Sequence, residues 1–436
     1  MIREDLVMVA CCDLSGQVRG KGFPVRELEK RWTRGIGWVP TNSLITCFNS
    51  IAEGPFGSTD DLLLIPDRHA EVRVDFDDQG AIDHFILGDI KTLRGEPWNF
   101  CPRNQLRTAL NDLRKESGLN LKVAYEHELW CAPEDELEWH GFGLDSFRRH
   151  VQFGEVVTAA LRAAGVETDT FLAEFGANQI EVTVSPTIGI RAADECVIVR
   201  ELVRAVATRM NRRVSFSPVV NDGVGNGLHI HVSLVDNSGK QAIYHAGNPL
   251  HQTNLAAQFF AGVRRYLPAI LALTAASVVS YERLKPHRWS AAYNNIAIQD
   301  REAALRICPI VQLPGFEPGS QYNVEFRAAD ATGNPYLQLA AIARAGLQGI
   351  RDSLPAAVPT ENDLSLLSPT DLADLDIERL PLDLPAALER MQRETILSTW
   401  FSSEFVELYT AHKNGEIRFL EGNDAETIRQ KYAGVY

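Results

Sequence analysis

The residues able to do chemistry sit on short stretches that alternate polar and apolar. In Leu228-His-Ile-His-Val-Ser-Leu234, His229, His231 and Ser233 share one side, and Leu228, Ile230, Val232 and Leu234 share the other. That two-residue repeat is a β-strand with two imidazoles on one face. The design recurs three times. Glu126 and Glu128 oppose Val123, Tyr125 and Leu129, with His127 on the apolar side. Gln179 and Glu181 oppose Ile180, Val182 and Val184, and Glu174 stands just before them. Asn323, Glu325 and Arg327 oppose Val324 and Phe326.

Carboxylates gathered on one sheet face repel one another strongly in a low-dielectric setting. They must take up protons or be neutralised by cations. Hard oxygen ligands with one or two imidazoles suit Mg²⁺ or Mn²⁺. Each strand alone is also what a half-solvated antiparallel sheet produces, but four of one design favour metal. Arg283, Arg288, Arg301 and Arg306 fall in a non-periodic stretch over 281–320, with Arg327 beyond it. Divalent ions beside several arginines match phosphoryl transfer, where both neutralise phosphate oxygens. No GxxxxGK[ST] motif is present, which disfavours a P-loop nucleotide site. The glycine-rich run Asn221-Asp-Gly-Val-Gly-Asn-Gly227 allows a ligand close to bare backbone.

These strands need a scaffold. A hairpin is expected from residues 6–12 and 17–25, a polar loop over 41–61, and strands at 62–65 and 72–76 split by Pro66-Asp67. Up to about residue 100 the chain reads as a small, mostly β unit, bounded by Pro97 and Pro102. Beyond it, helices are expected at 103–117, 146–164 and 191–213, then over 252–280 with a break at Pro268. Asn334-Pro335 caps a helix running to about 353, a Pro- and Asp-rich excursion covers 355–382, and one long helix is expected at 384–413. The boundaries are therefore 1–100 and 101–436.

With 436 residues, 45% hydrophobic, the chain can bury a sizeable core. The net charge of -14 disfavours nucleic acid and anionic membranes as partners. Seven cysteines without a CxxC pattern read as reduced thiols of a cytoplasmic protein. Residues 1–5 lack a signal-peptide apolar run, and no window reaches the length of a membrane span.

Taken in order, several motifs resemble those of type I glutamine synthetases. They are Glu126-His-Glu128, Glu174 with Asn178-Gln-Ile-Glu181, Gly225-Asn-Gly-Leu-His-Ile-His231, Arg283-Leu-Lys-Pro286 with Arg301 and Arg306, and Glu325-Phe-Arg327 with Asn334-Pro-Tyr-Leu337. The resemblance runs from about residue 6 to the C-terminus. It implies an α+β fold: a small N-terminal β-grasp domain, then a catalytic domain whose antiparallel sheet curls into an open funnel with helices outside. It also implies a homododecamer of two stacked hexameric rings, with active sites shared between subunits.

Carried over by position, the resemblance makes Glu128, Glu174 and Glu181 ligands of one divalent ion and Glu126, His229 and Glu325 ligands of a second. It places His231 and Ser233 beside the nucleotide and Arg301 and Arg306 at the phosphates. Gly225, Arg283 and Arg327 then hold glutamate. The implied cofactors are ATP and two to three Mg²⁺ or Mn²⁺. The implied reaction phosphorylates the γ-carboxylate of glutamate, and an amine then attacks the acyl phosphate.

Departures from the pattern bear on the amine. Asn49 falls where the family has an aspartate that binds and deprotonates ammonium, although a second acid persists as Asp61. Trp289 replaces the flap glutamate. An indole stabilises an apolar group better than ammonium, although its face also attracts cations. The pattern is similar to that of γ-glutamyl-monoamine and γ-glutamyl-polyamine ligases, and Trp289 favours a hydrophobic monoamine of amine catabolism. The alternatives are a glutamine synthetase using ammonia and a non-catalytic, ring-forming binding protein. Asn323 stands where the family has an arginine, and Glu378 near its regulatory tyrosine, so control by adenylylation is not expected.

Overall fold

The computed structural model describes residues 2–133, 138–221, 223 and 225–436. Asp222 and Val224 of the glycine-rich run lie outside the described residues. The fold is α+β, with a small N-terminal sheet domain followed by a larger domain built on a curled sheet.

The N-terminal sheet has five strands in the order Val18–Pro24, Leu6–Cys12, Asp83–Thr92, Leu62–Val74, Ile36–Trp38. Leu6–Cys12 pairs antiparallel with its hairpin partner and parallel with Asp83–Thr92. Residues 62–76, expected as two strands, form one, Leu62–Val74. Pro66 is accommodated by a register shift between Pro66 and Glu71, the bulge that lets a donor-less residue sit in a ladder.

The larger sheet has nine strands. Its main path runs Ile296–Ile298, Leu305–Ile307, Val324–Phe326, Leu228–Val235, Asn120–Cys131, Gln179–Val184, Thr168–Ala173. The four strands of alternating design are consecutive neighbours, all antiparallel. Their apolar side chains are fully buried, among them Tyr125, Leu129, Ile180, Val182, Ile230, Val232, Val324 and Phe326. Each such residue contributes about 1.5–3 kcal/mol by leaving water, so this face fixes the register. A one-residue slip would put every carboxylate into the core.

Helices Pro102–Ser117 and Ile190–Arg209 pack on that side of Asn120–Cys131, Pro335–Arg351 packs against both, and Asn254–Thr274 packs on Pro335–Arg351, all in one hydrophobic core. The Asn334 side chain accepts from the Tyr336 and Leu337 N–H groups, as its place before Pro335 requires. Pro268 does not break its helix. Residues on every side of Asn254–Thr274 are buried, and that packing exceeds the roughly 3 kcal/mol a central proline costs. The long helix expected over 384–413 is three: Leu384–Arg393, Leu397–Phe401 and Ser403–Leu420. Ser402 adopts φ 70° and its hydroxyl caps the last of them, accepting from Phe405 N. The non-periodic stretch 281–320 contains two three-residue strands at its centre, too short to show alternation.

Candidate active site

Sheet register brings the acidic residues together. Glu126 lies opposite His229, Glu128 opposite Glu181, and Glu325 opposite both His231 and Arg306. Of these, Glu126, Glu128, Glu181 and His229 line a cavity of about 760 Å³, while Glu325 lies behind them, against His229. Glu126, Glu128, Glu174, Glu181 and His229 line its floor. Arg283, Arg301, Arg327 and Gly225 line its wall, and Trp289 its rim. A second cavity of about 350 Å³ shares Glu126 and is lined by His231, Ser233 and Asn323.

The distances on the floor are short. His229 Nδ1 is 3.3 Å from Glu126 Oε2, 3.7 Å from Glu128 Oε1 and 3.5 Å from Glu325 Oε1. His231 Nδ1 donates to Asn323 Oδ1 at 2.8 Å. Its Nε2 is buried and pairs with Glu126 Oε1 at 2.9 Å. Ligand atoms of Glu126, His231 and Glu325 lie within 4.8 Å of one another. The structure thus brings His231 to the same cluster as Glu126, His229 and Glu325.

Electrostatics in this cluster test whether divalent ions fit. Burial raises Glu181, and the charges of Glu126, Glu128, Glu174 and Glu325 raise it further, up to about 9. Glu174 is also raised, first by burial. Burial pushes on Glu126 as well, but the imidazoles of His229 and His231 outweigh it and hold Glu126 well below the usual carboxylate range. For Glu325, burial is overcome by Arg327 and the same imidazoles, which bring it down to about 2. One half of the floor therefore has its own cations, and the half around Glu181 has an uncompensated excess of carboxylate. Oxygen donors in excess, with the His229 ring 3.7 Å from Glu128 beside them, are the donor set of Mg²⁺ or Mn²⁺.

Neighbouring groups hold the ligands in place. The Gln179 amide nitrogen lies 3.1 Å from Glu128 Oε2, from the Gly225 carbonyl and from Asn226 Oδ1. Gly227 N–H donates to Glu128 Oε2 at 2.6 Å. A Cβ on Gly225 would stand 2.7 Å from Arg283 Cγ and from the Pro218 carbonyl oxygen, so only glycine lets the loop and Arg283 pass. Arg283 is buried and donates to the Arg327 and Ala329 carbonyls and to Ser290 Oγ. Burial lowers its pKa from the usual arginine value.

Arg327 ties three elements together. Its guanidinium donates to Glu325, to the Arg301 carbonyl at 3.0 Å and to the Trp289 carbonyl at 2.8 Å. Arg306 donates to Glu325 Oε2 at 2.8 Å, and Ser233 to the Tyr322 carbonyl at 3.1 Å. Asn49 and Asp61 are not brought to this cavity. Both are exposed on the N-terminal domain, where Arg19 donates to Asn49 Oδ1 at 3.2 Å.

The rim is apolar. Trp289 stacks on Phe175 with ring centroids 6.1 Å apart and planes 25° from parallel, and Phe142 lines the same cavity. These side chains are exposed by 59%, 61% and 61% respectively. Sequence reasoning found Trp289 but not Phe142 or Phe175, and missed Gln179 and Asn226 as supports. Phe175 follows Glu174 directly, which was the available signal.

Comparison with known proteins agrees with this geometry. Residues 99–432 match the glutamine synthetase catalytic-domain family model, and residues 3–98 the glutamine synthetase N-terminal-domain model. The chain belongs to the glutamine synthetase family. It is a glutamine-synthetase-like, ATP-dependent ligase. It is 31% identical to the γ-glutamylpolyamine synthetase GlnA3 of Streptomyces coelicolor over 449 residues, covering 99% of this chain and 93% of that protein. It is 27% identical to the glutamine synthetase of Pyrococcus woesei, over 90% of this chain and 85% of the relative. A solved structure described as a novel glutamine synthase homolog superposes with TM-score 0.92 at 37% identity, covering 100% of this chain and 99% of that one. Among the described residues, no helix is long and apolar enough to cross a membrane.

Proposed function

We propose that this chain joins the γ-carboxylate of glutamate to an organic amine, through γ-glutamyl phosphate, at the expense of ATP. The observation that carries the choice of amine is the rim. Three large aromatic side chains, Phe142, Phe175 and Trp289, stand exposed at one cavity mouth. A cluster of exposed apolar rings marks a binding surface, and its occupant here is the apolar part of a monoamine.

The rest of the site is assigned to match. Glu128, Glu174 and Glu181 would hold one divalent ion, and Glu126, His229 and Glu325 a second. Such ions supply charge neutralisation at phosphate oxygens. Gly225, Arg283 and Arg327 hold glutamate. Arg301 and Arg306 face the phosphates, with the nucleotide in the adjoining cavity beside His231 and Ser233. In the first step a γ-carboxylate oxygen attacks the terminal phosphorus and ADP leaves. In the second the amine nitrogen attacks the acyl carbon, phosphate leaves and the nitrogen loses a proton. Asp61 accepts that proton, and Asn49 contacts the amine. Both come from a neighbouring subunit in a double-ring homododecamer, which accounts for their distance from their own chain's cavity. We place the domain boundary at residues 100 and 101, and the protein in the cytoplasm, in keeping with seven buried cysteines without a CxxC pattern.

A second reading has its own support. The Streptomyces relative acts on polyamines by its name, and aromatic faces also attract ammonium groups. Phosphate release with glutamate, ATP and Mg²⁺ across alkylamines, arylamines, polyamines and ammonium decides between them. A higher kcat/KM for ammonium than for every organic amine would remove both readings. A preference for polyamines over apolar monoamines would replace the first by the second. Trp289→Glu is expected to lower kcat/KM for apolar amines by about tenfold, the equivalent of one lost apolar contact surface.

A further inference from the structure

The flap that carries Trp289 is held in an unfavourable backbone conformation by one side chain outside the ligand set. His287 and Trp289 have φ of 59° and 50°. Non-glycine residues avoid this region unless their surroundings enforce it. The enforcing group is the Glu302 carboxylate. Its Oε2 accepts the His287 N–H at 2.9 Å and its Oε1 the Trp289 N–H at 2.6 Å. Glu302 is itself fixed, since its N–H donates to Asp300 Oδ1 at 2.9 Å in the turn between the Ile296–Ile298 and Leu305–Ile307 strands. On the carbonyl side of the same residue, Arg327 donates to Trp289 O. The indole is thereby set against Phe175.

We propose that Glu302 is a positioning residue for amine specificity: it sets the aromatic rim through the two flap amides. This rests on the reading of Trp289 as part of the amine pocket. Two charge-assisted hydrogen bonds hold a strained segment here. Without them the flap relaxes toward negative φ and the indole leaves Phe175. Arg327 and Arg283 also bond the flap, at the Trp289 carbonyl and Ser290 Oγ, so glutamate binding feels the change as well, but only the amine loses the aromatic rim itself.

Glu302→Ala and Glu302→Gln in the full chain test this, with Trp289→Ala as reference. The Gln variant keeps one acceptor and the chain's size, which guards against a folding defect in the Ala variant. Hydrogen exchange of the segment spanning 285–292 is expected to accelerate in Glu302→Ala and less in Glu302→Gln. KM for the preferred amine is expected to rise about tenfold in Glu302→Ala, more than KM for glutamate, whose Arg327 is bonded to the same flap, and Glu302→Ala is expected to add little to Trp289→Ala. Unchanged exchange in both Glu302 variants would overturn the proposal whatever the kinetics. So would an unchanged amine KM in Glu302→Ala where Trp289→Ala raises it. An amine KM unmoved by Trp289→Ala itself would locate the failure in the pocket reading on which the proposal rests.

Discussion

The two faces of the Asn120–Cys131 strand carry ionisable groups under opposite rules. On one face Glu126 and Glu128 sit among imidazoles, arginines and further carboxylates. On the other, His127 is buried between Tyr125 and Leu129, and neither ring nitrogen has a hydrogen-bond partner. Burial lowers His127 from its ordinary value to about 4, so it is neutral at physiological pH. Both faces are low-dielectric. What differs is the supply of counter-charge, and that decides whether a buried group keeps its charge, loses it, or waits for an ion. The carboxylate face therefore reads as built for ligands, and the histidine face as packing.

The largest expected effect breaks that contrast from the ligand side. Glu128→Gln keeps the size of the side chain and an acceptor for Gly227 N–H, but removes one negative charge from the floor. Ligase turnover at saturating substrates is expected to fall about 1,000-fold, in the range lost when a charge-stabilising group is removed from a reaction site. The thermal midpoint is expected to hold or rise, because a repulsive charge has gone. A loss of activity below tenfold would take Glu128 out of the ligand set.

The histidine face gives the next largest effect. The unfolded chain binds a proton at His127 near pH 6.5 and the folded chain only near pH 4. Between those values the unfolded state holds more protons, so stability falls as pH falls through the window and levels off below it. The depression corresponds to about 3 kcal/mol. His127→Leu, an apolar side chain of similar size, is expected to lose this term. Its advantage over the natural chain in denaturant midpoint should be smallest above pH 6.5 and grow toward pH 4. A constant difference across that range would mean that His127 is not the titrating group.

Residues on strands are legible in the amino-acid order, because a two-residue period assigns a face to each side chain. Glu126, Glu128, Glu181, His229, His231 and Glu325 all follow from that rule. The pairing of His229 with Glu126, and of Glu128 with Glu181, is not legible there, since register depends on partners distant in sequence. Loops defeat periodicity altogether. Phe142, Phe175 and Glu302 lie in loops and turns, and only tertiary contact shows that the first two share the rim with Trp289 and that the third fastens the flap. Pro268 and residues 384–420 mislead in opposite directions. Burial keeps a helix intact across a proline, and a positive-φ serine divides a segment whose composition is helical throughout. The likeness to the glutamine synthetases is legible because its motifs are strand segments in fixed order, whereas the amine specificity rests on loop residues where order says little.

The smallest effect separates the two halves of the ligand face. Around Glu126 and Glu325, imidazoles and arginines already compensate the carboxylates; at Glu181 burial and the acidic neighbours prevail and raise it to about 9. A carboxyl raised in the folded state contributes stability that is fully present below its unfolded value and is lost as pH rises through the folded one. In the metal-free protein Glu181 therefore weakens the fold progressively from about pH 4.5 to about pH 9. Glu181→Gln is expected to raise the metal-free thermal midpoint by a few degrees at pH 8 and to change it little at pH 4. Mg²⁺ at a hundredfold excess over its dissociation constant stabilises a one-site protein by about 2.7 kcal/mol, and that gain should be present in the natural chain and reduced in Glu181→Gln. Glu325→Gln offers the opposite case, because it leaves Arg306 and Arg327 buried without their carboxylate partner and should lower the metal-free midpoint. If both variants move the midpoint in the same direction, the floor is not divided into a compensated and an uncompensated half.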